Sequence, residues 1–110
     1  MKRNVVFLLA CMFAMASALP VSAGNNKTLK DVLGRYFLVG AAMNVDQIWN
    51  RTPDETNVVK NNFNSIVAEN CMKGEEIHPE ENRFFWDDAD RFVKFGQDNG
   101  LAIIGHCLVW

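Results

Sequence analysis

The chain reads as an α/β protein built around a parallel sheet, and three observations carry that reading. Tyr36 to Met43 (YFLVGAAM) and Leu101 to Gly105 (LAIIG) are apolar runs without polar alternation, the pattern of strands covered on both faces. Helix start and stop signals lie between such runs, so strands and helices alternate and imply right-handed crossovers. Polar side chains also gather immediately after two of the apolar segments, beginning at Glu69 and at His106.

Taken in order, Thr28 with Asp31 three residues later is a capping pair for a short helix, and Gly34 is expected to supply its left-handed end. Tyr36 to Met43 is the first strand. Thr52-Pro53-Asp54-Glu55 stacks an N-cap residue, a proline for the first turn and an acidic residue, predicting a helix to about Asn61. Phe63 to Ala68 (FNSIVA) is the second strand. Ala89, Phe92, Val93 and Gly96 recur at helical spacing, so a third helix starts near Asp87 and stops at Asn99-Gly100. Leu101 to Gly105 is the third strand. Three strands cannot close a barrel, and strands apolar on both faces need cover, so the expectation is the front of a larger fold.

The 110 residues are 49% hydrophobic, ordinary for a globular chain. Lys2 and Arg3, the apolar Val5 to Leu19 broken by Ser17, and the small-residue ending Val21-Ser22-Ala23 read as a secretory signal over residues 1–23, with 24–110 as the mature part. The apolar stretch falls short of the roughly 20 residues that span a bilayer, so no stable membrane insertion is expected once the signal is cleaved. Leu8-Leu9-Ala10-Cys11 loosely resembles a lipobox but sits too early. Losing Lys2 and Arg3 leaves nine basic against thirteen acidic residues, a balance of −4 that argues against nucleic acid and anionic membranes as partners. The expected location is secreted or periplasmic.

Functional groups of α/β folds gather at the carboxyl ends of strands, where the following loops converge. Here the second strand delivers Glu69, Asn70 and Lys73, and the third delivers His106 and Trp110. Carboxylate, amide, ammonium and imidazole offer paired donors and acceptors, and an indole adds a flat apolar face, which together suit a sugar. Taken singly, Glu69, Glu75 and Glu76 read as solvated charges, His106 as a hydrogen-bonded core histidine and Trp110 as core. A metal site from Cys71, His78, His106 and Cys107 is disfavoured, because neighbours on a strand point to opposite faces. Cys71 and Cys107 are read as two buried thiols, a bridge between them remaining the lesser alternative. No cofactor is expected, since no phosphate loop or nucleophile elbow is present.

In combination, Glu69-Asn70-Cys71-Met72-Lys73, Ile77-His78-Pro79-Glu80, Asp90-Arg91-Phe92-Val93 and Gly105-His106-Cys107-Leu108-Val109-Trp110 resemble the opening third of glycoside hydrolase family 10, the endo-β-1,4-xylanases. Val39-Gly40-Ala41-Ala42 with Asn44 resembles that family's first strand. The resemblance implies the first three βα units of a (β/α)8 TIM barrel, incomplete in this chain, and a retaining hydrolase acting on xylan or xylo-oligosaccharides. It also implies that the two catalytic glutamates follow the fourth and seventh strands, so no catalytic residue is assigned here and these residues alone are expected to hydrolyse nothing. What carries over is substrate binding by Glu69, Asn70, Lys73, His106 and Trp110, with Glu76 and Glu80 as solvated charges of little consequence. Cys71 and Gly74 depart from the acidic or bulky residues of many relatives. The competing reading is a non-catalytic secreted carbohydrate-binding remnant.

The export expectation is checked by mass spectrometry of the protein recovered outside the cytoplasm, whose first residue should be Gly24. A retained Met1 or a lipid on Cys11 would contradict it.

Overall fold

The computed structural model describes residues 26–107, so the signal-like segment 1–23 and Trp110 lie outside the described residues. Helix α1 spans Leu29–Leu33, β1 Gly40–Met43, α2 Val45–Ile48, α3 Pro53–Asn62, β2 Ser65–Ala68, α4 Gly74–Ile77, α5 Asp87–Asp98 and β3 Ala102–Ile104. The strands form one parallel sheet in the order β1-β2-β3. Ala41 pairs with Ile66 and Met43 with Ala68, while Ile66 pairs with Ile103 and Val67 with Ile104. The expected alternation of helices and parallel strands is therefore present, and β2 is the central strand.

Two local expectations are corrected. The first strand begins at Gly40 and not at Tyr36, because Tyr36, Phe37 and Leu38 continue the turn after α1 and are 67%, 57% and 56% exposed. The backbone N–H groups of Tyr36 and Phe37 both donate to the Leu33 carbonyl. Gly34 is not left-handed either, having φ −60°. Its lack of a side chain is needed for a different reason: a Cβ would collide with the Lys30 carbonyl oxygen and stand 2.9 Å from Asn64 Nδ2. The capping expectation at Asp31 holds, since its carboxylate accepts from the Thr28 backbone N–H at 2.9 Å. That hydrogen bond lowers the Asp31 pKa, so its support of α1 is present above the usual carboxylate range and fades as pH falls through it.

Two four-residue helices, α2 and α4, were not anticipated. They are too short to show a 3.6-residue repeat. At α2 the Asn44 side chain accepts from the Gln47 N–H at 3.0 Å, and the Gln47 side chain accepts from the Asn44 N–H at 3.0 Å. That reciprocal capping turns the chain immediately after β1.

The core lies where α3 and α5 cover β2. Met43, Ile48, Ile66 and Phe92 are fully buried, and Val59, Ala68, Cys71, Phe95 and Leu101 join them. Helix α5 presents one apolar face, Ala89, Phe92, Phe95 and Gly96; of the four positions its spacing predicted, Val93 is only partly buried against the core, and Phe95 takes the buried place. At Gly96 the helix approaches the sheet so closely that a Cβ would lie 2.6 Å from Ile103 Cγ1. Gly100, with φ +63°, then makes the left-handed stop that leads into β3. The double burial expected of all three strands holds only for β2; Gly40, Ala42 and Ile104 on the flanking strands are exposed.

Cys71 and Cys107 are both free thiols, Cys71 buried in the core and Cys107 half-buried. Burial pushes the Cys71 thiol up from its ordinary value, and the negative charge of Asp88 adds to the effect.

Two outcomes check this packing. Phe92→Ala should remove about 3–5 kcal/mol of stability in urea unfolding of the full-length protein, whereas Val58→Ala, at a side chain 55% exposed, should change it by less than about 0.5 kcal/mol. In native-state labelling with iodoacetamide at neutral pH, peptide mapping should find Cys107 alkylated well before Cys71. Equal labelling of the two would contradict the burial of Cys71.

Candidate functional site

The three strands run parallel, so their carboxyl ends share one edge of the sheet. The register continues past the regular ladder, with the Glu69 backbone N–H donating to the Met43 carbonyl at 2.9 Å. Glu69 thus begins its loop still fastened to β1. One step beyond the pair Met43–Ala68 and two beyond Val67–Ile104, the register leads to Asn44, Glu69 and His106 as neighbouring positions along that edge.

After Glu69 the chain makes a tight turn, closed by the Lys73 N–H donating to the Asn70 carbonyl at 2.8 Å. Cys71 drives into the core at 5% exposure and fixes the turn from beneath. Asn70 is left outside and Lys73 half-buried, and the Lys73 ammonium donates to Asn70 Oδ1 at 2.8 Å. The small thiol at position 71 fits this role, since it buries without needing a hydrogen-bond partner.

The turn stands between two hollows. On one side, a hollow of about 280 Å³ brings His106, with Gly105 and Cys107, against Met72 and Gly74, the sequence neighbours of Lys73. His106 itself is exposed, in contrast to the core histidine that is its bland alternative. On the other side, a larger cleft of about 460 Å³ lies between the loop after β1 and the start of α5. Trp49 and Arg51 come from the first of these, Phe85, Asp87 and Asp88 from the second, and Asn70 and Glu76 from the β2 loop. The structure therefore brings Asn70 and Lys73 into contact, sets Glu69 beside them in sequence and register, and places His106 across the smaller hollow.

Glu76 and Glu80 are exposed, as expected, but they differ in surroundings. Glu80 pairs with Arg83 at 3.1 Å on the open surface, while Glu76 lines the larger cleft with Asn70. The excursion between α4 and α5 is ordered by ring stacking. His78 lies on Phe84 with centroids 4.2 Å apart, and Phe84 on Trp86 at 5.7 Å. Sequence reading missed Trp49. Its indole N–H donates to Asp88 Oδ1 at 2.6 Å, 39 positions along the chain. The available signal was a lone aromatic residue in the stretch after β1, between the apolar Ile48 and the polar Asn50 and Arg51.

Among the described residues no group of three His, Cys, Asp or Glu side chains is placed to hold a metal ion. Among them also, no helix is long and apolar enough to cross a membrane.

Residues 28–110 match the sequence profile of Glycosyl hydrolase family 10. The chain is 52% identical over 100 residues to endo-1,4-beta-xylanase A of Xylanibacter ruminicola, covering 91% of this chain and 27% of that protein. It is 40% identical over 83 residues to beta-1,4-xylanase of Dictyoglomus thermophilum, covering 76% and 22%. The backbone superimposes on a GH10 endoxylanase from a sugarcane soil metagenome with a TM-score of 0.71 at 33% identity, covering 76% of this chain and 25% of that one. A psychrophilic family 10 endo-beta-1,4-xylanase matches at TM-score 0.66 and 39% identity, covering 72% and 24%. The chain thus spans about a quarter of the length of these relatives, and its sheet corresponds to an arc of their TIM barrel. Sequence and backbone agree, and the chain belongs to glycosyl hydrolase family 10.

Proposed function

We infer that the chain forms part of a secreted, retaining endo-1,4-β-xylanase, in which it supplies the glycone side of the substrate cleft. The observation that carries this reading is the Asn70–Lys73 pair, an amide and an ammonium held 2.8 Å apart on a turn at the carboxyl end of β2, in a chain of this family. A polysaccharide hydroxyl is both donor and acceptor. An ammonium aimed by a neighbouring amide oxygen donates to it from a fixed position, with less side-chain freedom to lose on binding than a free lysine. Glu69 adds an acceptor to the same edge, His106 an imidazole across the smaller hollow, and Trp110 a flat wall for the sugar's C–H face.

Retention requires two carboxyl groups about 5–5.5 Å apart, one acting as acid/base and one as nucleophile. The resemblance assigns those to strands after β3, so Glu69, Glu75, Glu76, Glu80 and Glu81 take neither role. The chemistry of Glu69, Asn70, Lys73, His106 and Trp110 is to hold the sugar beside the bond to be cut and to keep it in register. Export rests on the basic, apolar and small-residue pattern of residues 1–23.

In the full-length protein, Lys73→Ala and His106→Ala should each lower kcat/KM on xylan by roughly tenfold to a hundredfold, matching loss of a hydrogen bond to a charged or buried group worth about 1.5–3 kcal/mol. Glu80→Ala, which removes only a surface ion pair, should leave it nearly unchanged. Proton NMR of the first product should show the β anomer. Wild-type protein that binds xylan without cleaving it would instead support the non-catalytic carbohydrate-binding reading. Glu80→Ala hurting turnover as much as Lys73→Ala, with both folded, would remove the binding assignment.

A further inference from the structure

The corner between α5 and β3 carries a chemically reactive pair that takes no part in holding sugar. Asn99-Gly100 is the only Asn-Gly dipeptide in the sequence, and both residues are exposed. Asparagine amides are chemically labile, above all before glycine, whose backbone nitrogen has no side chain beside it to hinder attack on the amide carbon. A Cβ at Gly100 would meet nothing within 4 Å, so the surroundings leave the approach open as well.

The folded chain holds both reacting groups in check. Asn99 Nδ2 donates to the Phe95 carbonyl at 2.8 Å, which turns the side chain back over the preceding turn of the helix. The Gly100 N–H donates to the Gln97 carbonyl at 3.2 Å, so the attacking nitrogen is engaged too. Both bonds belong to the final turn of a helix, where local opening costs least. One opening of that turn frees nucleophile and leaving group together.

We propose that Asn99-Gly100 is a self-modification site, gated by the last turn of α5, whose conversion to aspartate and isoaspartate loosens the seating of β3. The Gly100 nitrogen gives its proton to hydroxide and bonds to Asn99 Cγ. The Cγ–Nδ2 bond breaks, and the amide nitrogen takes a proton from water and leaves as ammonia. Water then opens the succinimide at one carbonyl or the other, giving aspartate or isoaspartate with no oxidation or reduction. Isoaspartate routes the main chain through the former side chain and lengthens it by one atom. Either product replaces the donor to the Phe95 carbonyl with a carboxylate that repels it. The new charge also falls beside Asp98, at a partially negative helix end whose last turn holds no basic residue. Just beyond, the Leu101 N–H donates to the Gly96 carbonyl and the Ala102 N–H to the Asn64 carbonyl, each at 2.9 Å, and these bonds set β3 beside β2. The strand ends at Ile104, two residues before His106, so a loosened corner is felt at the opposite edge of the sheet.

The test holds the full-length protein in warm, mildly alkaline buffer for increasing times. Peptide mapping with enzymatic methylation of isoaspartate should find residue 99 converted before any other asparagine of residues 24–110. Conversion should be about tenfold or more slower in native than in urea-unfolded protein, because the closed turn withholds both groups. The urea midpoint of the native protein should fall as conversion proceeds. Asn99→Gln, whose longer side chain closes a ring far more slowly, should keep its own midpoint through the same incubation. Xylan cleavage should fall in step with conversion, and this readout alone rests on the xylanase reading. Asparagine 99 left intact, equal rates in native and unfolded protein, or an unchanged midpoint after conversion overturns the proposal and leaves the xylanase reading standing. Fresh protein that cleaves no xylan overturns the xylanase reading, while the mapping and unfolding results still decide the proposal.

Discussion

The candidate site depends on the pairing of β2 along both of its edges. Ser65–Ala68 is the one described strand with a neighbour on each side, and its register sets where the other two stop. Because the pairing is parallel, Met43, Ala68 and Ile104 come to the same edge of the sheet within about one residue of each other. Everything polar that follows them is delivered to that edge. The strand holds its place because Ile66 is completely buried between the sheet and the covering helices, so a slip of one residue would expose it and bury its neighbour's opposite face.

The second level of organisation is the turn from Glu69 to Lys73. A loop of polar residues has little reason to keep one shape, and here the shape comes from Cys71 reaching down into the core while Asn70 and Lys73 remain above. The polar groups are thus oriented by an apolar contact beneath them. The loop after β1 is fixed by a different means, through reciprocal capping by Asn44 and Gln47 and through the Trp49–Asp88 and Arg91–Ile48 hydrogen bonds to α5. Both loops are therefore braced against the same helix and sheet, which is what lets two flexible-looking sequences form the walls of one cleft.

Much of this was legible in the sequence, and what was not has identifiable causes. The longer helices were readable because ten or twelve residues are enough to display a start signal or a 3.6-residue repeat, as in Thr52-Pro53-Asp54-Glu55 and in Ala89, Phe92, Val93 and Gly96. The first strand was read too long because an apolar run carries no phase: nothing in Tyr36-Phe37-Leu38 distinguishes a strand from an apolar turn awaiting a partner. The capping pair of Asn44 and Gln47 was in principle visible but followed a strand too closely to stand out. Glu69, Asn70, Lys73 and His106 could be chosen as site candidates from their place after the strands, since that rule needs only local order. Trp49 and Asp88 could not be joined that way, because their contact depends on how the first βα loop lies on α5, a matter of tertiary packing.

The close passage of α5 over β3 at Gly96, where a methyl group would meet Ile103, bears on how such a protein can diversify. A helix seated that tightly cannot be shifted or rotated to accommodate a new ligand without a simultaneous change in the strand below. Asp87 and Asp88, at the first turn of the same helix, inherit that immobility. Adaptation to a different polymer would accordingly be expected to proceed by exchanging side chains and loop lengths around positions 44–52 and 74–86, while the helix itself behaves as fixed masonry. The spacing between these loops and Asp88 would then be the inherited constant against which new specificities are cut.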